Sequence, residues 1–332
     1  MINKNEIVNL FNSFNNLNVL IIGDVMIDSY YYGDVNRISP EAPVPIVSVT
    51  KKNNRLGGAA NVALNIKALG ANPILCSVIG QDSDSETFDE LLKTEQLNTK
   101  GIIKSKERIT TVKTRVIGNN HQVIRVDSEV DTPLSVNENT ALLKAIITLI
   151  NNQKIDIVIF QDYDKGVITK ELIEEVITIC NDKNIPTTVD PKKKNFANYK
   201  NATLFKPNLK ELKEGLNIEI DPSNVKEVEA AIDQLNSSQH NKINFITLSE
   251  YGVLIKDNST LKQISAHVRD IADVSGAGDT VISVASLCLA LNQPIDVIAE
   301  IANLAGGLVC ESVGVVPIDK DQLRSEVIAN LN

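Results

Sequence analysis

Tryptophan is absent from this chain, and aromatic residues of all kinds make up only 4% of it. Stacking platforms for single-stranded nucleic acid are therefore not evident. A net charge of −9 argues in the same direction, against a general nucleic-acid binder. Cysteine is scarce. Cys76, Cys180, Cys288 and Cys310 are widely spaced and form no C-x-x-C, so buried thiols are expected in place of disulfides or a zinc site. Histidine is limited to His121, His240 and His267, which leaves no Cys/His cluster for a metal. No apolar run approaches the roughly 20 residues that span a bilayer. The polar opening M-I-N-K-N-E does not resemble a signal peptide, so a cytoplasmic protein without membrane contact is expected. Missing motifs narrow the chemistry further. Without G-x-x-x-x-G-K-[ST], or G-x-G-x-x-G after a first strand, Walker-type and nicotinamide sites are weakened. Without G-x-S-x-G, so is a serine hydrolase.

What is present supports a large folded core, since 43% of the residues are hydrophobic. Asn18 to Asp24 reads as a buried strand, with Asp24 and Asp28 following it. In an open parallel sheet those carboxylates meet a ligand off the strand end; the alternative is a turn cap. Tyr30 to Thr50 carries three prolines and β-type alternation, the texture of an excursion from the main body. Residues 108 to 127 alternate around G-N-N, a hairpin signal, and carry Arg108, Lys113, Arg115 and Arg125. After residue 135 strands and helices alternate: helix Ala141 to Ile150, strand Ile155 to Phe160, helix Thr169 to Cys180, strand Thr187 to Asp190, strand Thr203 to Lys206, helix 222 to 236 and strand Asn244 to Leu248. This predicts a mainly parallel, wound α/β sheet. Four strands end in polar residues: Asp162 and Lys165, Asp190 and Lys192, Asn208 and Glu211, Ser249 and Glu250. Such endings place polar groups along one sheet edge, where a ligand crevice belongs.

Two glycine turns lead into apolar runs. In R-L-G-G-A-A-N, Gly57 and Gly58 allow close backbone approach, and Asn61 is a polar residue on the first turn. In D-V-S-G-A-G-D-T, residues 273 to 280, the turn exposes N–H groups at the start of a buried helix. Those groups and the helix dipole form an anion site. One reading is an ordinary glycine turn capped by Asp279 and Thr280; the other gives the carboxylate beside the anion a proton to accept. Asp279 as base, with Gly276, Ala277 and Gly278 holding transferring phosphoryl charge, explains both features.

Taken in order, G-G-A-A-N (57 to 61), P-N-L-K-E (207 to 211) and D-V-S-G-A-G-D-T (273 to 280) resemble the ribokinase-like (PfkB) carbohydrate kinase family over nearly the whole chain. The resemblance implies one ribokinase-like three-layer αβα domain over residues 1–332. It also implies a β lid formed by about 29–56 and 107–128, which pairs two subunits as a homodimer. Asp279 becomes the catalytic base, and Gly276, Ala277 and Gly278 the anion hole. The acceptor side takes Asp28, Gly57, Gly58 and Asn61, with Arg115, Arg125 and Lys165 as candidate cations. The ATP side takes Lys192, Asn208, Glu211, Ser249, Gly252 and Asn303, with Glu211 meeting Mg²⁺ through water.

Further motifs are similar to the D-glycero-β-D-manno-heptose-7-phosphate kinase branch of the family: D-V-M-I-D, R-I-S-P-E-A-P-V-P, N-H-Q-V-I-R-V-D, D-Y-D-K-G and V-D-P-K. That branch implies phosphoryl transfer from ATP to O1 of a heptose phosphate. The chain stops where a nucleotidyltransferase half would begin, and H-x-G-H is missing, so nucleotidyl transfer is not expected. E-S-V-G-V (311 to 315) departs from the usual K-x-G-T/A. Alternatives are a kinase for another sugar or sugar phosphate, and a non-catalytic sensor on the same fold.

Overall fold

A computed structural model describes residues 2–267 and 269–331. Helix α1 (Lys4–Ser13) leads to strand β1 (Asn18–Gly23). Two long strands, β2 (Val25–Ile38) and β3 (Pro45–Gly58), leave the main body and return to it. Next come α2 (Ala59–Ala68), β4 (Asn72–Gly80), α3 (Ser83–Thr94) and β5 (Asn98–Ser105). A hairpin of β6 (Val112–Gly118) and β7 (His121–Ser128) precedes the alternating half. That half holds α4 (Val136–Asn152), β8 (Ile157–Gln161), α5 (Lys170–Asp182) and β9 (Thr187–Asp190). It continues through β10 (Leu204–Phe205), α6 (Leu209–Leu216), α7 (Val225–Gln239) and β11 (Ile243–Thr247). Strands β12 (Val253–Lys256) and β13 (Leu261–Ile264) are followed by α8 (Ala277–Ala290), α9 (Ile295–Val309) and α10 (Lys320–Leu331).

Nine strands form one sheet in the order β13-β12-β11-β10-β9-β8-β1-β4-β5. Pairs from β11 through β5 are parallel, and β12 and β13 add antiparallel at one edge. The central strands are apolar on both faces because both faces are covered. Val19 and Ile21 of β1 join the core under α1, α2, α8, α9 and α10. Leu20 and Ile22, pointing the other way, join the core under α4, α5, α6 and α7. The result is the expected three-layer αβα arrangement. Helix α8 is buried without interruption from Asp279 to Leu289, so its opening turn is carried deep into the molecule.

A second sheet has the order β3-β2-β6-β7. Its β2–β6 pairing is parallel, and the other two pairings are antiparallel. The β6–β7 turn places Asn119 and Asn120 at φ 50° and 65°, the left-handed pair that a tight hairpin with the right twist requires. Pro40 and Pro43 fall in the β2–β3 connection, and Pro45 is the first residue of β3.

The expected lid limits need correction at both ends. The β2–β3 pairing runs down to Val25 and Gly58, rooting this sheet in the main body. Residues 107 to 110 precede it: Thr110 is held by Asp82, to which its N–H donates at 2.7 Å and its hydroxyl at 2.8 Å, and the Thr111 carbonyl is the first to accept from β2, from the Ile27 N–H at 2.9 Å. Helix α1 and strands β5, β12 and β13 are further elements that patterning did not identify. For α1 the signal was present: Asn3 and Glu6 form a reciprocal cap.

Gly23, the last residue of β1, tests how tightly β1 and β8 approach. A Cβ there would lie 2.0 Å from the carbonyl oxygen of Gln161. Gly23→Ala is expected to cost about 2 kcal/mol or more, read as a lower midpoint in urea unfolding; an unchanged midpoint would contradict this packing.

Candidate active site

The site is built at the opening of α8. Gly276 caps the helix at φ 85°, a conformation that favours glycine. A Cβ at Gly276 would come within 3.4 Å of Asn61 Nδ2 and 3.2 Å of Val315 Cγ1. Among the described residues, the N–H groups of Gly276 and Gly278 meet no backbone acceptor, whereas Ala277 donates to the Val274 carbonyl at 3.3 Å. Two of the three expected hole amides are thus open in this conformation.

Asp279 is 5% exposed. Its Oδ2 accepts from Asn61 Nδ2 at 2.7 Å. Its Oδ1 accepts from the Tyr163 hydroxyl at 2.7 Å and from Gln161 Nε2 at 3.2 Å. Burial pushes its pKa up to about 6; the Asn61 and Tyr163 hydrogen bonds oppose the rise and Asp190 adds to it. The carboxylate is therefore ionised at neutral pH yet basic enough to take a proton.

Each partner is itself positioned. Asn65 Nδ2 donates to the Asn61 carbonyl at 3.0 Å, while Asn65 Oδ1 accepts from the Thr280 hydroxyl at 3.2 Å and the Ile318 N–H at 3.0 Å. This clamps α2 against α8. Gln161 Nε2 also donates to Asp190 Oδ2 at 3.2 Å, and Lys206 Nζ meets the same oxygen at 3.1 Å. Lys206 is 2% exposed, a burial its ion pair makes tolerable.

Tyr163 stands on a loop gathered by Asp24, whose carboxylate accepts the N–H groups of Tyr163 (2.8 Å), Lys165 (3.1 Å) and Val167 (2.9 Å). Of the two roles open to Asp24, the structure supports the turn cap. Burial raises its pKa, and these three hydrogen bonds act against the rise. Asp162 rises to about 7, first from burial and then from the Asp24 charge.

On the side expected to take the acceptor, Asp28 is 5% exposed and pairs with Arg115 at 2.5 Å. A Cβ on Gly57 would sit 2.2 Å from Asp28 Oδ2, and one on Gly58, at φ 61°, 2.4 Å from the Asp24 carbonyl. Both glycines thus make room for this chain's own polar groups. Arg125 pairs with Asp127 at 2.9 Å and keeps half of its side chain exposed. Lys165 pairs with Glu129 at 2.7 Å.

On the other side Lys192 pairs with Glu211 and lies 5.7 Å from the centre of the Tyr163 ring. Burial works against its ammonium, but Asp190, Glu211 and Asp279 outweigh burial and hold the amine above its ordinary range. Lys192 therefore joins the Asp279 cluster to Asn208 and Glu211, which form a reciprocal cap on α6. Ser249 is exposed beyond the end of β11. Gly252, at φ 83°, leaves room for the Ile264 carbonyl, and Asn303 Nδ2 donates to the Ser265 carbonyl at 2.9 Å. These three lie around the β11–β13 edge, and among the described residues none of them hydrogen-bonds to Asp279 or its partners.

Sequence reasoning did not single out Tyr163, Gln161 or Lys206. All three sit within or beside the polar strand endings it did identify, so the position was legible and the partner was not. Among the described residues, no three His, Cys, Asp or Glu side chains form a group that could cage a metal. Nor is any helix long and apolar enough to cross a membrane.

The fold and the helix-opening carboxylate define an α/β enzyme of the sugar kinase type. Residues 16–321 match the pfkB family carbohydrate kinase family, and the chain belongs to it. It is 38% identical to the bifunctional protein HldE of Helicobacter pylori strain J99 over 296 residues, 89% of this chain and 63% of that protein. Its identity to the bifunctional protein HldE of Methylobacillus flagellatus is also 38%, over 93% of this chain and 63% of the relative. The chain thus spans less than two thirds of the curated relatives it matches. The fold is similar to phosphofructokinase-2 from Escherichia coli in complex with potassium, with TM-score 0.77, 20% identity and coverage of 95% of this chain and 99% of that one. It is also similar to Arabidopsis thaliana ribokinase complexed with ribose and ATP, with TM-score 0.69, 14% identity and coverage of 93% and 98%.

Tyr163→Phe removes a donor that favours the ionised form of Asp279. The acid limb of the kcat/KM profile, expected near pH 6 from the base, should move to higher pH, and kcat should fall on the order of 10-fold. A limb that stays in place would show that this hydroxyl does not tune the base.

Proposed function

We propose that this chain is an ATP-dependent kinase acting on O1 of D-glycero-β-D-manno-heptose 7-phosphate. The product would be the 1,7-bisphosphate used for ADP-heptose and lipopolysaccharide core precursors. The observation that carries the kinase chemistry is Asp279: a buried, ionised carboxylate beside open amides at a helix start. Its oxygen accepts the proton of the attacking hydroxyl. The N–H groups of Gly276 and Gly278, with the helix dipole, stabilise charge on the transferring phosphoryl group. Asn61 keeps Asp279 aimed, and Lys192 adds positive charge on the nucleotide side. A sensor on this fold would leave the desolvation of Asp279 without a purpose.

The acceptor assignment rests on the further motifs and on the extended similarity to the bifunctional relatives. The donor set near Asn208 and Glu211 fits a Mg²⁺ that keeps its waters, because Glu211 is already engaged by the Asn208 N–H at 2.8 Å and by Lys192. Glu211 would meet that ion through water, and the ion would neutralise phosphate charge. A cytoplasmic location accords with ATP as donor.

The second sheet is proposed as a lid that also pairs two copies. Ile124 and Val126 of β7 are 55% and 53% exposed. By strand alternation they lie on the face away from Arg125 and Asp127. A second copy covering this apolar face would account for them. Ile124→Glu with Val126→Lys should lower the sedimentation mass to that of one chain, and an unchanged mass would rule out this interface.

Asp279→Asn should abolish turnover while acceptor and ATP binding, measured by calorimetry, persist. Retained turnover would remove Asp279 as the base. The stability effect has a definite sign. The folded pKa of about 6 lies above the ordinary 3.8, so ionised Asp279 opposes folding increasingly as pH rises between those values. The asparagine variant should therefore be more stable at neutral pH, by at most about 3 kcal/mol. An acceptor panel tests the sugar: turnover of the heptose phosphate no better than fructose 6-phosphate or ribose would overturn that assignment.

A further inference from the structure

The inner face of the second sheet carries five cations. The pairings Asp28↔Arg55, Tyr32↔Lys51, Asp28↔Lys113, Tyr30↔Arg115 and Arg115↔Arg125 put their side chains on one side of the sheet. Three of the five are neutralised within the protein. Lys113 meets Asp127 at 3.1 Å and Glu129 at 2.8 Å, Arg115 meets Asp28 at 2.5 Å, and Arg125 meets Asp127 at 2.9 Å. Arg55 and Lys51 differ: among the described residues neither has a carboxylate partner. Lys51 is exposed and farther along β3, whereas Arg55 is part-buried in register with Asp28, and its Nη1 donates to the Val315 carbonyl at 3.1 Å. Its guanidinium lies 5.4 Å from the Tyr30 ring centre, with Arg115 at 5.3 Å from the same ring. A guanidinium carries five N–H donors, so most of its capacity is open.

We infer that Arg55 is the specificity-determining residue that binds the phosphate already present on the acceptor. The inference rests on the sugar phosphate kinase proposed above and names the cation that reads the substrate's phosphate. Neighbouring residues connect it to the base. Val315 accepts from Arg55, a Cβ added at Gly276 would meet both Val315 and Asn61, and Asn61 donates to Asp279. Arg55 thus stands close to the helix start that holds Asp279, where the far end of an acceptor bound at Asp279 would come. Arg55 stands on β3 in register with Asp28, on the acceptor side of the cleft. The transferring phosphoryl already has the helix start for its charge. A planar fork also matches a terminal phosphate bidentately.

The test compares wild type with Arg55→Ala and Arg55→Lys, using heptose 7-phosphate, the unphosphorylated heptose and ATP, with inorganic phosphate as competitor. A charge-assisted contact worth about 1.5–3 kcal/mol corresponds to a rise in KM of roughly 10- to 100-fold. Arg55→Ala should show that rise for the phosphorylated acceptor, with KM for ATP within about twofold. KM for the unphosphorylated heptose should not change, and competition by inorganic phosphate should be lost. Arg55→Lys should recover part of the affinity, which guards against a merely misfolded alanine variant. An equal rise in KM for ATP and acceptor, or a fall in kcat alone, would overturn the inference and assign Arg55 to the transferring phosphoryl. An unchanged acceptor KM would also overturn it. If wild type turned over no phosphorylated acceptor, the functional reading itself would fail, an outcome visible before any variant is made.

Discussion

The site depends on one opposition of forces at Asp279. A carboxylate at a helix start is favoured by the dipole and by nearby N–H groups. Removal from water disfavours it, and here removal from water wins. The cause lies in the helix behind it. Because α8 is buried from Asp279 to Leu289, its first turn cannot reach solvent. Three donors then keep the carboxylate charged: Asn61 from α2, and Gln161 and Tyr163 from the end of β8. The charge is tolerated without being strongly favoured, which is what the proposed base requires.

Those donors also explain why distant parts of the chain are tied together. Asn65 links α2 to Thr280 and to Ile318. Asp24 gathers the loop that carries Tyr163 through three backbone N–H groups. The carboxylates and ammoniums of the crevice are arranged in pairs, so most of the buried charge is internally balanced. The imbalance at Arg55 stands out against that background.

Much of this was legible in the primary structure. The parallel half was readable because strands covered on both faces are continuous apolar runs, as in Asn18–Gly23. The turn before α8 was readable because glycines precede a run apolar on every side. Strand β13 was not, because a four-residue edge strand, half exposed, carries too little periodicity. Lys206 shows the limit for the site: nothing in a strand-end lysine says that it will be buried 3.1 Å from Asp190.

Residue order alone determined the wound sheet, the helix-opening amides and the carboxylate of Asp279 beside them, because local patterning and turn chemistry depend on neighbours in the chain. Tertiary structure decided which partners met. Tyr163 is 116 positions from Asp279 and Asn61 is 218 positions away, and only packing of α2, α8 and the β8 loop brings them within hydrogen-bond reach. It also decided which arginines were spent on internal carboxylates, since ion pairing depends on strand register and depth, and these are set only once the sheets assemble.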